Sequence, residues 1–373
     1  MIVVGEAALD ATEAALRARV EAMMATPAPD EATFNSLALD IFAFQFEHDP
    51  AYRRFARQRG RNPRAVRSWR EIPAVPISAF KDLDIGCTPP DRAARVFMTS
   101  GTTRAGRRGQ VHHRSLDLYD RSMRLGFEHF FMRGAAPMAM AVLFPDEASL
   151  PNSSLAHYLA LALRHFGTPG SRTMMGPAGI DRPALVAALR GAEASGEPFA
   201  LLGASYAFVG LLDALDAEGQ RFALPLGSRI LDTGGFKGQS REVPPEVFYA
   251  RLIKTFGVPA ALCVNMYGMT ELSSQFYDDG NAGLPPVKRG MPWLRSRVVD
   301  PLTGRDVPPG TPGVLAHHDL AHLGVVSAIL TEDVGVMRED GFLLLGRVGG
   351  AEAKGCSLAV EEFLAAARAP AGA

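Results

Sequence analysis

The sequence predicts an α/β protein: doubly wound sheets with helices, preceded by a helical N-terminal segment and followed by a small β hairpin or barrel portion. Three observations predict it. Apolar residues recur at helical spacing within residues 1–70. From Val96 onward, short apolar runs end in Gly, Ser, Thr or Pro and alternate with helical stretches. Beyond about residue 290 the pattern becomes paired short strands.

Taken in order, Ala7–Met24 is rich in Ala, Glu and Arg and reads as a helix. Pro27 and Pro29 break it, and Asp30 is placed to cap the next one. There Phe34, Leu37, Ile41, Phe44 and Phe46 form an apolar face. The stretch IPAVPISAF (72–80) cannot be helix interior, because Pro73 and Pro76 remove donors and restrict their neighbours. The runs VFMT (96–99), MAMAVLF (138–144), FALLGA (199–204), SRILDTGG (228–235) and ALCVNMYG (261–268) read as strands of a parallel sheet. Helices at Ser154–His165 and Pro183–Ser195 lie between them. Ligands of such sheets bind at the C-terminal ends of the strands. Residues 297–320 read as a hairpin, and 334–347 as two strands joined at Asp340–Gly341, a type I′ turn signal.

At 373 residues, two lobes are expected. Lys and Arg total 39 against 40 Asp and Glu, so no net field draws the chain to nucleic acid or an anionic membrane. No apolar run approaches the ~20 residues that span a bilayer. The N-terminus lacks a secretory pattern, and Cys87, Cys263 and Cys356 show no paired spacing. A cytoplasmic protein without a membrane span or nucleic-acid partner is the expectation.

Four stretches carry chemistry. In FMTSGTTRAGRRGQ (97–110), Thr99, Ser100, Gly101, Thr102 and Thr103 offer backbone N–H groups and hydroxyls to an anion, and Arg107 and Arg108 add fixed charge. A solvated turn is the plainer alternative. The glycine spacing nearly fits a P-loop, but Arg107 and Arg108 replace its Lys and its magnesium-binding hydroxyl. In NMYGMTELSSQ (265–275), Thr270 and Glu271 suit a phosphate and Mg²⁺, or else a helix N-cap. In ILDTGGFKG (230–238), Gly234 and Gly235 permit close approach of a flat ligand and Lys237 brings a cation, or the pair is a simple turn. Asp333 suits ribose hydroxyls with Arg347 across the hairpin, or the two form a surface ion pair.

The order of these stretches resembles the adenylate-forming ligase superfamily. FNSLALDIFAFQF, IPAVPISAFK, FMTSGTT, DTGGFKG, YGMTEL and GAEAKGCSL are similar to the LuxE-like acyl-protein synthetases, which supply activated fatty acids to a reductase in bacterial bioluminescence. The resemblance implies an adenylation domain over residues 1–345 with a truncated C-terminal lobe, residues 346–373 standing as a short tail. It implies ATP and Mg²⁺ as cofactors and a carboxylic acid, fatty or aromatic, as substrate. Thr99 to Thr103 would hold the outer phosphates, with Arg107 or Arg108 substituting for the missing loop lysine. Tyr267 and Gly268 would flank adenine and the acyl phosphate. Thr270 would bind the α-phosphate and Glu271 the metal. Gly234 and Gly235 would line the adenine pocket, Asp333 would hold the ribose and Arg347 support it. Cys356 would accept the acyl group, its thiol activated by Lys354, and pass it to a protein such as a reductase or carrier. His157 would face the substrate carboxylate, unless it is an ordinary helix histidine. A ligase delivering a small aromatic acid to CoA, a carrier or an amine is the alternative, and a weak nucleotide-binding homologue the second.

Overall fold

The computed structural model describes residues 6–102, 108–234 and 241–368 of the chain. It forms two units, one from Met1–Ser122, Met269–Ser274 and Gly290–Ala373, the other from Met123–Gly268 and Gln275–Arg289.

The first unit opens with helices α1 (Glu6–Met24), α2 (Glu31–His48) and α3 (Pro50–Gln58). Asp30 caps α2 by accepting the Thr33 N–H at 2.7 Å. Phe34, Leu37, Ile41 and Phe44 are buried, while Phe46 is half-buried. Asp49 caps α3 through the Ala51 and Tyr52 N–H groups, and Pro50 starts that helix where no donor is needed. The proline-rich segment becomes a two-residue strand β1 (Val75–Pro76) and a 3₁₀ turn, Ile77–Lys81.

Strands β2 (Arg95–Thr102) and β3 (Arg108–His113) then pair antiparallel, Arg95 opposite His113 and Met98 opposite Gln110. This corrects the expectation that VFMT joins the parallel sheet. A parallel partner needs a crossover of a dozen or more residues, and the chain between β2 and β3 is far shorter.

Helix α4 (Asp117–Phe127) carries the chain into the second unit. There follow β4 (Ala139–Leu143), α5 (Ser154–Phe166), β5 (Arg172–Thr173), a small hairpin of β6 (Met175–Gly176) and β7 (Gly179–Ile180), and α6 (Arg182–Ser195). Next come β8 (Phe199–Ala204), α7 (Ser205–Ala217), β9 (Arg229–Thr233), α8 (Pro245–Phe256), β10 (Cys263–Tyr267), β11 (Phe276–Tyr277) and β12 (Val287–Lys288). The sheet order is β11-β10-β9-β8-β4-β5, parallel throughout except for the β11 edge. Every residue of β8 and β9 is buried, as a strand covered on both faces requires. Leu189, Leu212, Leu252 and Phe256 from α6, α7 and α8 share one core with Leu201 and Ile230 of the sheet.

Back in the first unit, β13 (Leu294–Val299), β14 (Gly313–Asp319), β15 (Ala328–Arg338) and β16 (Gly341–Arg347) form an antiparallel sheet in the order β16-β15-β14-β13. β1 runs parallel to β15 at Ile329–Leu330. The last hairpin turns at Glu339–Asp340, one residue earlier than the sequence signal, with Gly341 already paired to Arg338. Helix α9 (Gly350–Arg368) closes the unit. It is clasped to α3: the Phe363 ring meets Phe55 at 4.9 Å, Glu362 accepts from Arg59 at 2.9 Å, and Arg54 donates to the carbonyls of Ala366 and Ala367.

Candidate active site

In the second unit the polar residues gather where the parallel strands end. Thr233 ends β9 with Gly234 next, and Tyr267 ends β10 with Gly268 next. Gly234 has φ 76°, a backbone that side chains resist, and open space around it. A Cβ at Gly268 would meet Met266 Sδ at 3.2 Å and Gln275 Cγ at 3.3 Å, so glycine fits there too. Gly235 and Lys237 lie outside the described residues.

A buried network that the sequence reading missed fixes these strand ends. Asp232 accepts from Ser205 Oγ at 2.7 Å, Asn265 Nδ2 at 2.8 Å and Tyr249 OH at 3.0 Å. Burial pushes its carboxyl up, against the pull of the Ser205 and Asn265 hydrogen bonds. Lys288, also buried, donates to Asn265 O at 2.9 Å and Asp278 Oδ2 at 3.1 Å. An aspartate inside an apolar run, ILDTGG, was the available signal. His157, on α5, sits 2.7 Å from Glu147 Oε1 and is buried.

In the first unit, Thr99 lies on β2 and its Oγ1 accepts the Gly109 N–H at 3.0 Å. Ser100, Gly101 and Thr102 continue β2 as backbone, with their side chains outside the described set. Thr103 and Arg107 lie outside it entirely. Arg108 is described and exposed at the start of β3.

Thr270 and Glu271 occupy a turn with no helix after it, which removes the N-cap alternative. The turn is fastened from beneath by Asp319. Its Oδ2 accepts the Ser273 and Ser274 N–H groups, both at 2.8 Å, and Oδ1 accepts Ser274 Oγ at 2.8 Å and the Ala321 N–H at 3.0 Å. Burial raises the Asp319 carboxyl to about 6 even against those four donors. Ser273 Oγ also lies 2.8 Å from His322 Nδ1, and Trp293 Nε1 donates to Ser274 Oγ at 3.1 Å.

Glu271 itself is buried, and burial pushes its carboxyl up to about 7. Its own N–H and the charges of Lys81 and Arg347 pull it down, and Glu332 pushes it further up. Among the described residues no cation pairs with it. A buried carboxylate left uncompensated suits a divalent cation, which for Mg²⁺ is typically held by one or two carboxylates plus phosphate oxygens. Among the described residues no cluster of three or more acidic, His or Cys groups forms an all-protein metal cage. The donor set therefore fits a metal arriving with a polyphosphate.

Asp333 on β15 faces Arg347 on β16, with Arg347 Nε 3.3 Å from Asp333 Oδ1 and a second contact to Glu332 at 3.5 Å. The ion pair considered from the sequence is therefore present. Cys356 lies in α9, buried among Val299, Val314, Ala316 and Leu330, with its thiol 3.9 Å from the Thr331 carbonyl. Gly355 is helical, and a Cβ there would reach 2.7 Å from Pro301 Cγ, so glycine serves close packing. Lys354 is also within α9.

A family model described as acyl-protein synthetase, LuxE, matches residues 22–365. A long-chain-fatty-acid–luciferin-component ligase from Vibrio harveyi is 23% identical over 341 residues, covering 88% of this chain and 88% of its own length. Its namesake from Aliivibrio fischeri is 24% identical over 314 residues, covering 82% and 79%. A crystal structure of 2-hydroxyisobutyryl-CoA ligase in the postadenylation state with 2-HIB-AMP matches at TM-score 0.60 and 16% identity, over 84% of this chain and 68% of that one. The same enzyme with 2-HIB-AMP and CoA matches at TM-score 0.59 and 17% identity, over 86% and 69%. At such identity the structures share a fold. The match across residues 22–365 decides the family: the chain belongs to the LuxE acyl-protein synthetases and is an AMP-forming acid ligase with the adenylate-forming-ligase fold.

Proposed function

We propose that this ligase activates a long-chain fatty acid as its acyl adenylate and then takes the acyl group onto Cys356 for delivery to a partner protein. The observation that carries the reading is Glu271: buried, raised to about 7 and, among the described residues, paired with no cation, in a turn that Asp319 holds in place. The name shared by the two bacterial relatives supports the choice of acid, and its luciferin-component wording supports a reductase as the partner.

In the first step an oxygen of the substrate carboxylate attacks the α-phosphorus of ATP, and the bond to the bridging β-oxygen breaks. Pyrophosphate leaves with that electron pair. Positioning and charge neutralisation supply most of the catalysis in such transfers. Thr99, Ser100, Gly101, Thr102 and Thr103, with Arg107 and Arg108, hold the outer phosphates, and Thr270 the α-phosphate. Asp333 takes the ribose hydroxyls with Arg347 behind it. Gly234, Gly235 and Tyr267 line the adenine, Gly268 lies by the acyl phosphate, Lys237 adds a cation and His157 faces the carboxylate. Mg²⁺ bound at Glu271 would supply charge neutralisation on the phosphates.

In the second step the Cys356 thiolate, with Lys354 nearby in sequence, attacks the acyl carbon; the thioester forms and AMP leaves. Because the thiol is on the buried face of α9, this step requires α9 to lift. Splitting one transfer into two easier ones is the usual gain of a covalent intermediate.

Acid-dependent exchange of labelled pyrophosphate into ATP, with tetradecanoate and with benzoate as test acids, checks the division of labour. Exchange should survive in Cys356→Ser and collapse by roughly a hundredfold or more in Glu271→Ala. Loss of exchange in a folded Cys356→Ser variant would contradict the two-step scheme, and exchange with benzoate alone would shift the substrate to a small aromatic acid.

A further inference from the structure

We propose that Lys81 is a catalytic residue of this ligase, its ammonium binding the nucleotide phosphates that leave as pyrophosphate, where the loop after β2 carries arginines in place of a lysine. The inference rests on the adenylation reading and adds to it a group that no part of that reading uses.

The first support is position. Lys81 ends the 3₁₀ turn Ile77–Lys81, and that turn packs against β3, β15 and α9. These are the second strand of the phosphate hairpin, the strand of Asp333 and the helix of Cys356, all in the first unit. The approach to the hairpin is close. A Cβ on Gly109 would lie 3.5 Å from the Phe80 carbonyl carbon and 3.1 Å from Thr99 Cγ2. The backbone one residue before Lys81 therefore abuts the hairpin at the level of Thr99.

The second support is charge. Lys81 is half-buried, and among the described residues it has no hydrogen-bond or ion-pair partner. Its charge reaches Glu271 without closing into a salt bridge with it. Arg347, the other cation that acts on Glu271, is engaged with Asp333 and Glu332. Arg108, at the start of β3, is exposed. Opposite charges held near each other in a half-buried setting, but not paired, leave room for a third party that satisfies both. A metal-bound polyphosphate does so: the metal for the carboxylate, the phosphate oxygens for the ammonium.

The chemistry follows. As the bond between the α-phosphorus and the bridging oxygen breaks, negative charge grows on the departing pyrophosphate. An ammonium offers three N–H donors and a full charge to those oxygens without transferring a proton. AMP, which has no such oxygens, gains nothing from it.

Titration calorimetry with ATP and MgCl₂, and separately with AMP, on Lys81→Ala, Lys81→Gln and Lys81→Arg tests this. Loss of a charged hydrogen bond should weaken ATP by roughly tenfold or more in the Ala and Gln variants, leave AMP within about twofold, and slow pyrophosphate exchange. Arginine should restore most of the ATP affinity. ATP bound equally by wild type, Ala and Gln variants would overturn the assignment. So would equal weakening of ATP and AMP, which marks a structural role. Failure of the adenylation reading appears differently, as a wild-type protein that neither binds ATP nor exchanges pyrophosphate.

Discussion

Glu271 owes its position to Asp319, a residue 45 positions from Ser274 in sequence yet hydrogen-bonded to it. Removing that acceptor leaves the Ser273 and Ser274 N–H groups buried and unpaired, at about 1–3 kcal/mol each. Asp319→Asn keeps one acceptor oxygen and the side-chain shape. We expect it to raise the magnesium concentration for half-maximal exchange severalfold while the protein stays folded. An unchanged magnesium requirement would detach Asp319 from the role proposed for the Glu271 turn. Thr270 and Glu271 stand out in the sequence because the motif is local. Asp319, Asp232 and Lys81 do not, because their significance lies in partners that only the fold brings near. Gly235, Lys237, Thr103 and Arg107 were named from the sequence and fall outside the described residues.

Helix α9 shows how packing overrides local preference. A glycine inside a helix costs roughly 1 kcal/mol relative to alanine, and by that preference Gly355 would weaken the helix it sits in. Instead α9 uses Gly355 to approach Pro301 and is clasped through Phe363 to Phe55 of α3. Since Cys356 sits on the buried face of this helix, its reactivity should report α9 opening. Phe363→Ala removes a fully buried ring, a change that costs about 3–5 kcal/mol in well-packed cores. We expect labelling of Cys356 by a small thiol reagent to accelerate at least tenfold, while Cys263, buried in the other unit, stays protected. Parallel acceleration at both cysteines would mean global unfolding and contradict local release. The misread element, β2, was recognised as a strand. Its sheet was assigned wrongly because strand propensity carries no information about the partner.

At the scale of the whole chain, the division into two units follows from which strands can pair. Helix-length connections feed the parallel sheet, and hairpins build the antiparallel one. The sequence showed this alternation clearly, though not that residues 269–274 belong to the first unit while their neighbours belong to the second. That first unit holds both tryptophans, Trp69 and Trp293, so fluorescence follows its unfolding. It also buries His317, whose imidazole burial lowers to about 3. A histidine held below its ordinary value stabilises fully above about 6.5, and that contribution is lost as pH falls from there toward 3. Urea unfolding of wild type and His317→Asn should therefore converge below pH 6.5, by up to about 1.4 kcal/mol per pH unit. A gap that stays constant from pH 7.5 to 5.5 would show that the histidine is not buried in its neutral form.

The fate of one oxygen atom tests most directly whether this enzyme forms an acyl adenylate. With tetradecanoate labelled by oxygen-18 in its carboxylate, ATP and MgCl₂, attack on the α-phosphorus followed by acyl transfer should leave one label atom in AMP and none in pyrophosphate. Label appearing in inorganic phosphate alongside ADP would place the attack at the γ-phosphorus and contradict the account.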